Sequence, residues 1–101
     1  MKSDVCNVKL VSFEAAAWVD YLFWQQNDKP ATDGKLLRKI NALVRDIQRD
    51  PFTGIGKPEP LKHNLAGFWS RRITDGHRIV YKIDGDDILI AQCRYHYDHY
   101  E

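Results

Sequence analysis

Two turn signals in the carboxyl-terminal half constrain this chain more than any other feature. Asp75-Gly76 is a hairpin dipeptide, and Asp84-Gly85-Asp86-Asp87 is a second cluster of turn formers. The residues around them are rich in β-branched and aromatic types. Phe68–Thr74, His77–Ile83 and Ile88–Tyr97 therefore read as three strands joined by tight turns, an antiparallel meander.

The amino-terminal half has helical periodicity. Leu36, Ile40, Leu43 and Ile47 recur at i, i+4, i+7 and i+11, with Leu37 and Val44 beside them. Lys35, Arg38, Lys39, Arg45 and Arg49 fall on the solvated side of that stripe. Asp50-Pro51 ends the helix, because proline disfavours helical geometry in the residue before it. Asp33 or Thr32 is the expected cap. An earlier helix carries Trp18, Tyr21, Leu22 and Gln25 on one stripe, with Ser12 as N-cap and Glu14 in the first turn. It is expected to stop before Asn27-Asp28-Lys29-Pro30, leaving Pro30–Gly34 as a loop. Val8–Phe13 reads as a short strand ahead of it. Gly54, Gly56, Pro58, Pro60 and Gly67 keep regular helix out of residues 52–67. The class is α+β: two amino-terminal helices packed on a twisted, mainly antiparallel sheet.

At 101 residues the chain has material for one domain, 1–101. Aromatics at 12% speak against a disordered coil. No apolar run approaches the roughly 20 residues of a membrane span, and the start has no apolar signal core. Two cysteines, Cys6 and Cys93, are too few for a disulfide framework and fit reduced thiols in a cytoplasmic protein.

Strand alternation then sorts the side chains. Leu89, Ala91, Cys93 and Tyr95 form the more apolar set of the last strand and are assigned to the helices. Ile88, Ile90, Gln92, Arg94 and His96 are assigned to the open face. Ile79, Tyr81 and Ile83 point inward, so Arg78, Val80 and Lys82 point outward. With Trp69 and Ile73 inward, Arg72 points out. One open face thus collects Arg72, Arg78, Arg94 and His96. The whole chain carries a formal charge of only +1. Residues 57–78 concentrate five cations (Lys57, Lys62, Arg71, Arg72, Arg78) against two acids, Glu59 and Asp75. Aromatic side chains lie among them, a composition suited to phosphates and single-stranded bases.

The chemistry available is acid–base and electrostatic. His96 has an unperturbed pKa suited to proton transfer near neutrality. Glu59, between Pro58 and Pro60, is a candidate general base. Arg72 and Arg78 are candidate donors to phosphoryl oxygens. His96 and His99 have no third ligand nearby, so no metal is expected, and no phosphate-binding glycine loop is present.

The run from Gly56 to Tyr81, containing Lys57-Pro-Glu-Pro-Leu-Lys62 and Phe68-Trp-Ser-Arg-Arg-Ile-Thr-Asp-Gly-His-Arg78, resembles the YoeB/Txe toxins of bacterial toxin–antitoxin pairs, within the RelE/ParE superfamily. Arg94-Tyr-His-Tyr97 resembles that family's carboxyl end. Trp18, Asp20, Tyr21, Leu22, Trp24 and Gln25 resemble its first helix, and Asp50-Pro51-Phe52 its helix exit. The resemblance implies a RelE-like microbial RNase fold. It also implies a metal- and cofactor-independent endoribonuclease that cuts messenger RNA in the ribosomal A site through 2′-hydroxyl attack.

In that scheme Glu59 is the general base, Arg78 stabilises the transition state and His96 is the general acid. Tyr97 stands beside His96, and Arg72 is a second active-site arginine. Lys57, Lys62, Arg71 and Arg94 are expected RNA contacts. The implied partners are the ribosome, messenger RNA, a YefM/Phd-type antitoxin and a second copy in a homodimer. Two binding modes remain as alternatives: a non-catalytic toxin acting on a target such as gyrase, and a module that blocks the ribosome without cutting. Against the family pattern, Pro30–Lys35 is an apparent insertion, expected to lengthen the loop between the helices. The Asp98–Glu101 tail adds acids next to His96.

Overall fold

The structure, a computed structural model, describes residues 10–95, the side chains of 29–32 excepted. Strand β1 (Val11–Phe13) leads into helix α1 (Ala15–Thr32), which is followed by helix α2 (Lys35–Arg49). Strand β2 (Glu59–Pro60) and a 3-10 turn (His63–Leu65) precede the meander of β3 (Trp69–Thr74), β4 (His77–Asp84) and β5 (Asp87–Gln92). The sheet order is β1-β5-β4-β3-β2. Among the described residues β1 and β5 run parallel, and the other three strand pairs are antiparallel. Among the described residues, no helix is long and apolar enough to cross a membrane.

Both helices cover one face of the sheet, α1 toward β5 and α2 toward β3. Helix α2 buries Ile40, Leu43 and Ile47 completely, as its spacing requires. Each such side chain contributes about 1.5–3 kcal/mol relative to exposure. They meet Ile73, Ile79, Tyr81, Ile88, Ile90 and Cys93 from the sheet. Asp50, ahead of Pro51, is extended at φ −156° and ends the helix.

The first helix departs from expectation in three ways. Its buried line is Ala17, Trp24 and Asp28, while Trp18 is 49% exposed. Aromatic residues crowd this helix all round, so periodicity alone does not select a face. Trp24 is drawn inward because its Nε1–H donates to the Cys93 carbonyl at 2.8 Å. The helix also runs through Pro30 to Thr32 instead of stopping before Asn27. Pro30 has no N–H to give the carbonyl four residues back, so the helix gives up one bond in its last turn and continues to Thr32. The apparent insertion therefore lengthens α1 and not the loop. Finally, Ser12 lies within β1, and Glu14 precedes the helix, its carbonyl accepting the Trp18 amide at 2.9 Å.

Asp33 and Gly34, both left-handed at φ 60° and 77°, turn the chain between the helices. The N-cap of α2 is Gly34, and no side chain there supplies the capping oxygen. Buried Asp28 supplies one instead, its Oδ2 accepting the Leu37 amide at 2.7 Å.

The last strand corrects the face assignment. Ile88 and Ile90 point into the helix-side core, and Leu89 lies on the other face. Tyr81 pairs with Ile90, but Val80 pairs with Gln92. Ala91 is the extra residue of a bulge, which reverses the alternation. Beyond it Gln92 lies on the open face and Cys93 returns to the core, as expected. The strand ends at Gln92, short of the expected Tyr97.

Candidate active site

A cross-strand row forms the floor of the uncovered face. Glu59 of β2 pairs with Ser70 of β3, Ser70 with Val80 of β4, and Val80 with Gln92 of β5. Ser70, Val80 and Gln92 are buried, whereas Glu59 at the sheet's edge is half exposed. One step along, Arg72 pairs with Arg78. Alternation puts both guanidiniums on the same face as the row.

Arg78 Nη1 lies 3.3 Å from Glu59 Oε1 and donates to Ser70 Oγ at 3.2 Å. Its side chain is only 14% exposed, so a large part of its charge is held out of water. Arg72 is exposed, and its backbone N–H donates to the Gly56 carbonyl at 2.7 Å. That bond ties β3 to the loop leading to Glu59. Like charges directly opposite each other on a sheet repel. With Glu59 as the nearby acid, two guanidiniums leave a net positive site, which favours an anion held by bidentate donors. Lys57, left-handed at φ 53°, and Lys62, just before the 3-10 turn, are exposed at the rim. Lys82 extends the cationic face, with Nζ 5.2 Å from the centre of the Phe68 ring.

Two of the expected RNA contacts lie away from this face. Arg71 is completely buried on the helix side. Its Nη1 meets Asp46 Oδ2 at 2.6 Å and the Ile55 carbonyl at 3.1 Å. Its Nη2 donates to the carbonyls of Asp50 and Thr53, and its Nε to the Tyr81 hydroxyl. Every face of the guanidinium is occupied by the protein, so Arg71 does not present itself to RNA. Arg94 leaves the strand after the bulge and stacks between the rings of Phe23, at 3.4 Å from the centroid, and Tyr95, at 4.4 Å. It belongs to the helix side as well. His96 and Tyr97 lie outside the described residues, as does Cys6.

Sequence reasoning missed Ser70 and Gln92. Ser70 alternates with Arg72 and was therefore open to the same argument. Alternation puts Gln92 on this face, but no sequence pattern announces that its Nε2 donates to the carbonyls of Arg94 and Tyr95 at 2.7 and 2.8 Å.

The family description "YoeB-like toxin of bacterial type II toxin-antitoxin system" matches residues 13–97. This chain is a member of that family. It is 57% identical to toxin YoeB of Escherichia coli strain K12 over 90 residues, 89% of this chain and 100% of the relative. A YoeB/ParE toxin from Agrobacterium tumefaciens superposes with a TM-score of 0.79 at 47% identity, covering 87% of this chain and 99% of that one. Two structures from Staphylococcus aureus, a YoeB dimer and a YoeB–YefM complex, each superpose at 0.77. They are 48% and 47% identical, and each covers 88% of this chain and 98% of its own. The chain has this YoeB-type toxin fold, two helices on a five-stranded mixed sheet, and its own Arg72–Arg78 pair stands on the side the helices leave open.

Proposed function

We propose that this toxin is a ribosome-dependent endoribonuclease that cleaves messenger RNA in the A site and so inhibits translation. The observation that supports this most is the pairing of Arg78 with the Glu59 carboxylate at 3.3 Å, with Arg72 opposite, on the uncovered sheet face. A gyrase binder or a passive ribosome blocker has no need of a carboxylate set against two guanidiniums.

In the reaction, Glu59 takes the proton of a ribose 2′-hydroxyl. The 2′-oxygen forms a bond to the adjacent phosphorus, and the five-coordinate species carries added negative charge. Arg78 and Arg72 stabilise that charge more than the ground-state phosphate, which is what accelerates the step. The bond from phosphorus to the 5′-oxygen breaks as His96 gives that oxygen a proton, with Tyr97 assisting beside it. The upstream fragment keeps a 2′,3′-cyclic phosphate and the downstream one a 5′-hydroxyl. No cofactor enters this balance. An incoming phosphate competes with Glu59 for Arg78 and releases the carboxylate to act as base. Lys57 and Lys62 contact the RNA backbone at the rim.

The partner is an antitoxin of the YefM/Phd type, by analogy with the S. aureus complex, and the S. aureus dimer supports a homodimer as a second assembly. A ribosomal substrate places the protein in the cytoplasm.

The test uses purified ribosomes programmed with a short message. Mapped RNA ends should show an A-site cut with a cyclic phosphate upstream, lost in Arg78→Ala and His96→Gln. An intact message with translation arrested would replace this reading with a ribosome-binding inhibitor. An intact message with translation unaffected would point to a different target.

A further inference from the structure

Beside Arg78 the chain makes a turn that the reaction scheme does not explain. Tyr95 is left-handed, at φ 65°, a conformation costly for an aromatic residue. Such strain persists only where the surroundings over-determine it. Here its two backbone polar groups are both held. The Tyr95 N–H donates to Nδ1 of His77 at 2.8 Å. Its carbonyl accepts the Arg78 N–H at 3.0 Å and Gln92 Nε2 at 2.8 Å. One residue earlier, Arg94 is stacked between Phe23 and Tyr95. Before that, the Cys93 amide donates to Asp20 Oδ2 at 3.1 Å, and the Cys93 carbonyl accepts from Trp24. The chain is thus fixed through Tyr95 and continues directly into His96.

We propose that His77 is a positioning residue, whose Nδ1 lone pair holds the left-handed turn at Tyr95 and thereby fixes the direction in which the chain leaves Tyr95 beside Arg78, just ahead of His96 in sequence. The functional consequence rests on the nuclease reading; the anchoring itself does not. His77 and Arg78 are consecutive, and each binds one end of the Tyr95 residue. The same short stretch of β4 therefore carries the arginine and anchors Tyr95, the residue before the histidine in sequence.

An Nδ1 that accepts an amide must be unprotonated, which leaves the ring proton on Nε2. The surroundings of His77 support that state. Trp24 of α1 meets it edge to face at 4.9 Å, and Asp20 and Asp28 are the acids on that helix face. Arg94 and Tyr95 face it from the carboxyl-terminal segment, while Leu36 of α2 and Thr74 of β3 are uncharged. Burial lowers its pKa, the Arg94 charge lowers it further, and Asp20 opposes them. On protonation Nδ1 becomes a donor facing the Tyr95 N–H, and the anchor is lost.

Amide hydrogen exchange at Tyr95, read by NMR between pH 5 and 8, tests this in the parent, His77→Asn and His77→Leu. Asparagine offers an oxygen near the Nδ1 position and does not titrate; leucine offers no acceptor. After correction for intrinsic exchange, Tyr95 protection in the parent should fall as His77 protonates. It should stay constant with pH in His77→Asn. In His77→Leu it should drop about tenfold at neutral pH, the effect of one lost hydrogen bond. The cleavage kcat should fall in His77→Leu with the KM for ribosomes unchanged, and His77→Asn should restore it. Equal protection in the parent and His77→Leu, or the same pH dependence in His77→Asn, overturns the proposal. A parent that leaves messages whole while its Tyr95 amide behaves as described overturns the nuclease reading alone.

Discussion

Arg71 and Arg72 are consecutive in β3, yet one guanidinium is sealed in the core and the other faces solvent. Arg71 pairs with Asp46 and donates to three backbone carbonyls and a tyrosine hydroxyl. Arg72 stands opposite Arg78 on the uncovered face. Strand geometry separates them, because successive side chains point to opposite sides. The inner arginine gathers the loop after α2, while Tyr81 fastens the same loop by donating to the Pro51 carbonyl at 2.7 Å. That loop leads to Gly56, whose carbonyl receives the Arg72 amide. A buried structural charge thus stands next to an exposed one.

Arg71→Leu should destabilise the protein by about 3 kcal/mol or more, because it takes the Arg71 donors from the carbonyls of Asp50, Thr53 and Ile55 and leaves Asp46 with Arg49 as its remaining guanidinium partner. Urea unfolding followed by circular dichroism measures this. The hydrogen bonds from Arg49 and then Arg71 hold the Asp46 carboxyl well below the usual carboxylate range. A depressed carboxylate stabilises the fold above its unfolded pKa of about 3.9, and that stability is lost as pH falls below it. Asp46→Asn should flatten this acid limb.

Arg78→Ala should lower cleavage of ribosome-bound message by about 10²–10³-fold, the loss expected for one donor to a developing anion. Its thermal midpoint should stay close to the parent's, since Arg78 belongs to the open face and not to the helix-side core. A matching collapse in midpoint would show that the lost activity reflects unfolding.

Gly56 has φ +80°, and a Cβ there would lie 2.8 Å from Leu43 Cδ2 and 3.2 Å from the Arg72 carbonyl oxygen. Gly56→Ala should therefore cost at least about 1 kcal/mol through backbone strain alone. It should also loosen the Gly56–Arg72 bond, so cleavage should decline together with urea stability.

His77, with its pKa lowered mainly by burial, binds its proton less readily folded than unfolded. The unfolded chain then holds more protons from about pH 6.5 down to the folded pKa, and stability falls as pH drops through that window. Denaturant midpoints at pH 7 and pH 5 should differ less in His77→Asn than in the parent.

Burial, with a smaller effect from Asp20, pushes the Cys93 thiol up to about 12. Alkylation of a Cys6→Ser variant at pH 8 should be slow in the native state, at least about 100-fold slower than in denaturant. Rapid native labelling would show that the sheet opens at β5.

The readable parts of this protein were those governed by local geometry. The spacing of Ile40, Leu43 and Ile47 specified the buried face of α2, and the two turn clusters specified the meander. Alternation placed Arg72 and Arg78 together, since a strand's pleat is fixed by the backbone itself. Glu59 was legible as a carboxylate in a restricted segment, but the two-residue strand that carries it was too short to leave a pattern.

Tertiary contacts decided the rest. Arg71 is buried because Asp46, 25 residues away, and three carbonyls of one loop converge on it. Trp24 turns inward to meet a carbonyl 69 residues distant. The bulge at Ala91 reverses one strand's faces through its register with β4, and His77 fastens Tyr95 from 18 residues earlier. Periodicity follows from covalent geometry that each residue shares with its neighbours, so sequence alone conveys it. Which polar group satisfies which buried partner depends on distances that exist only after the chain has folded.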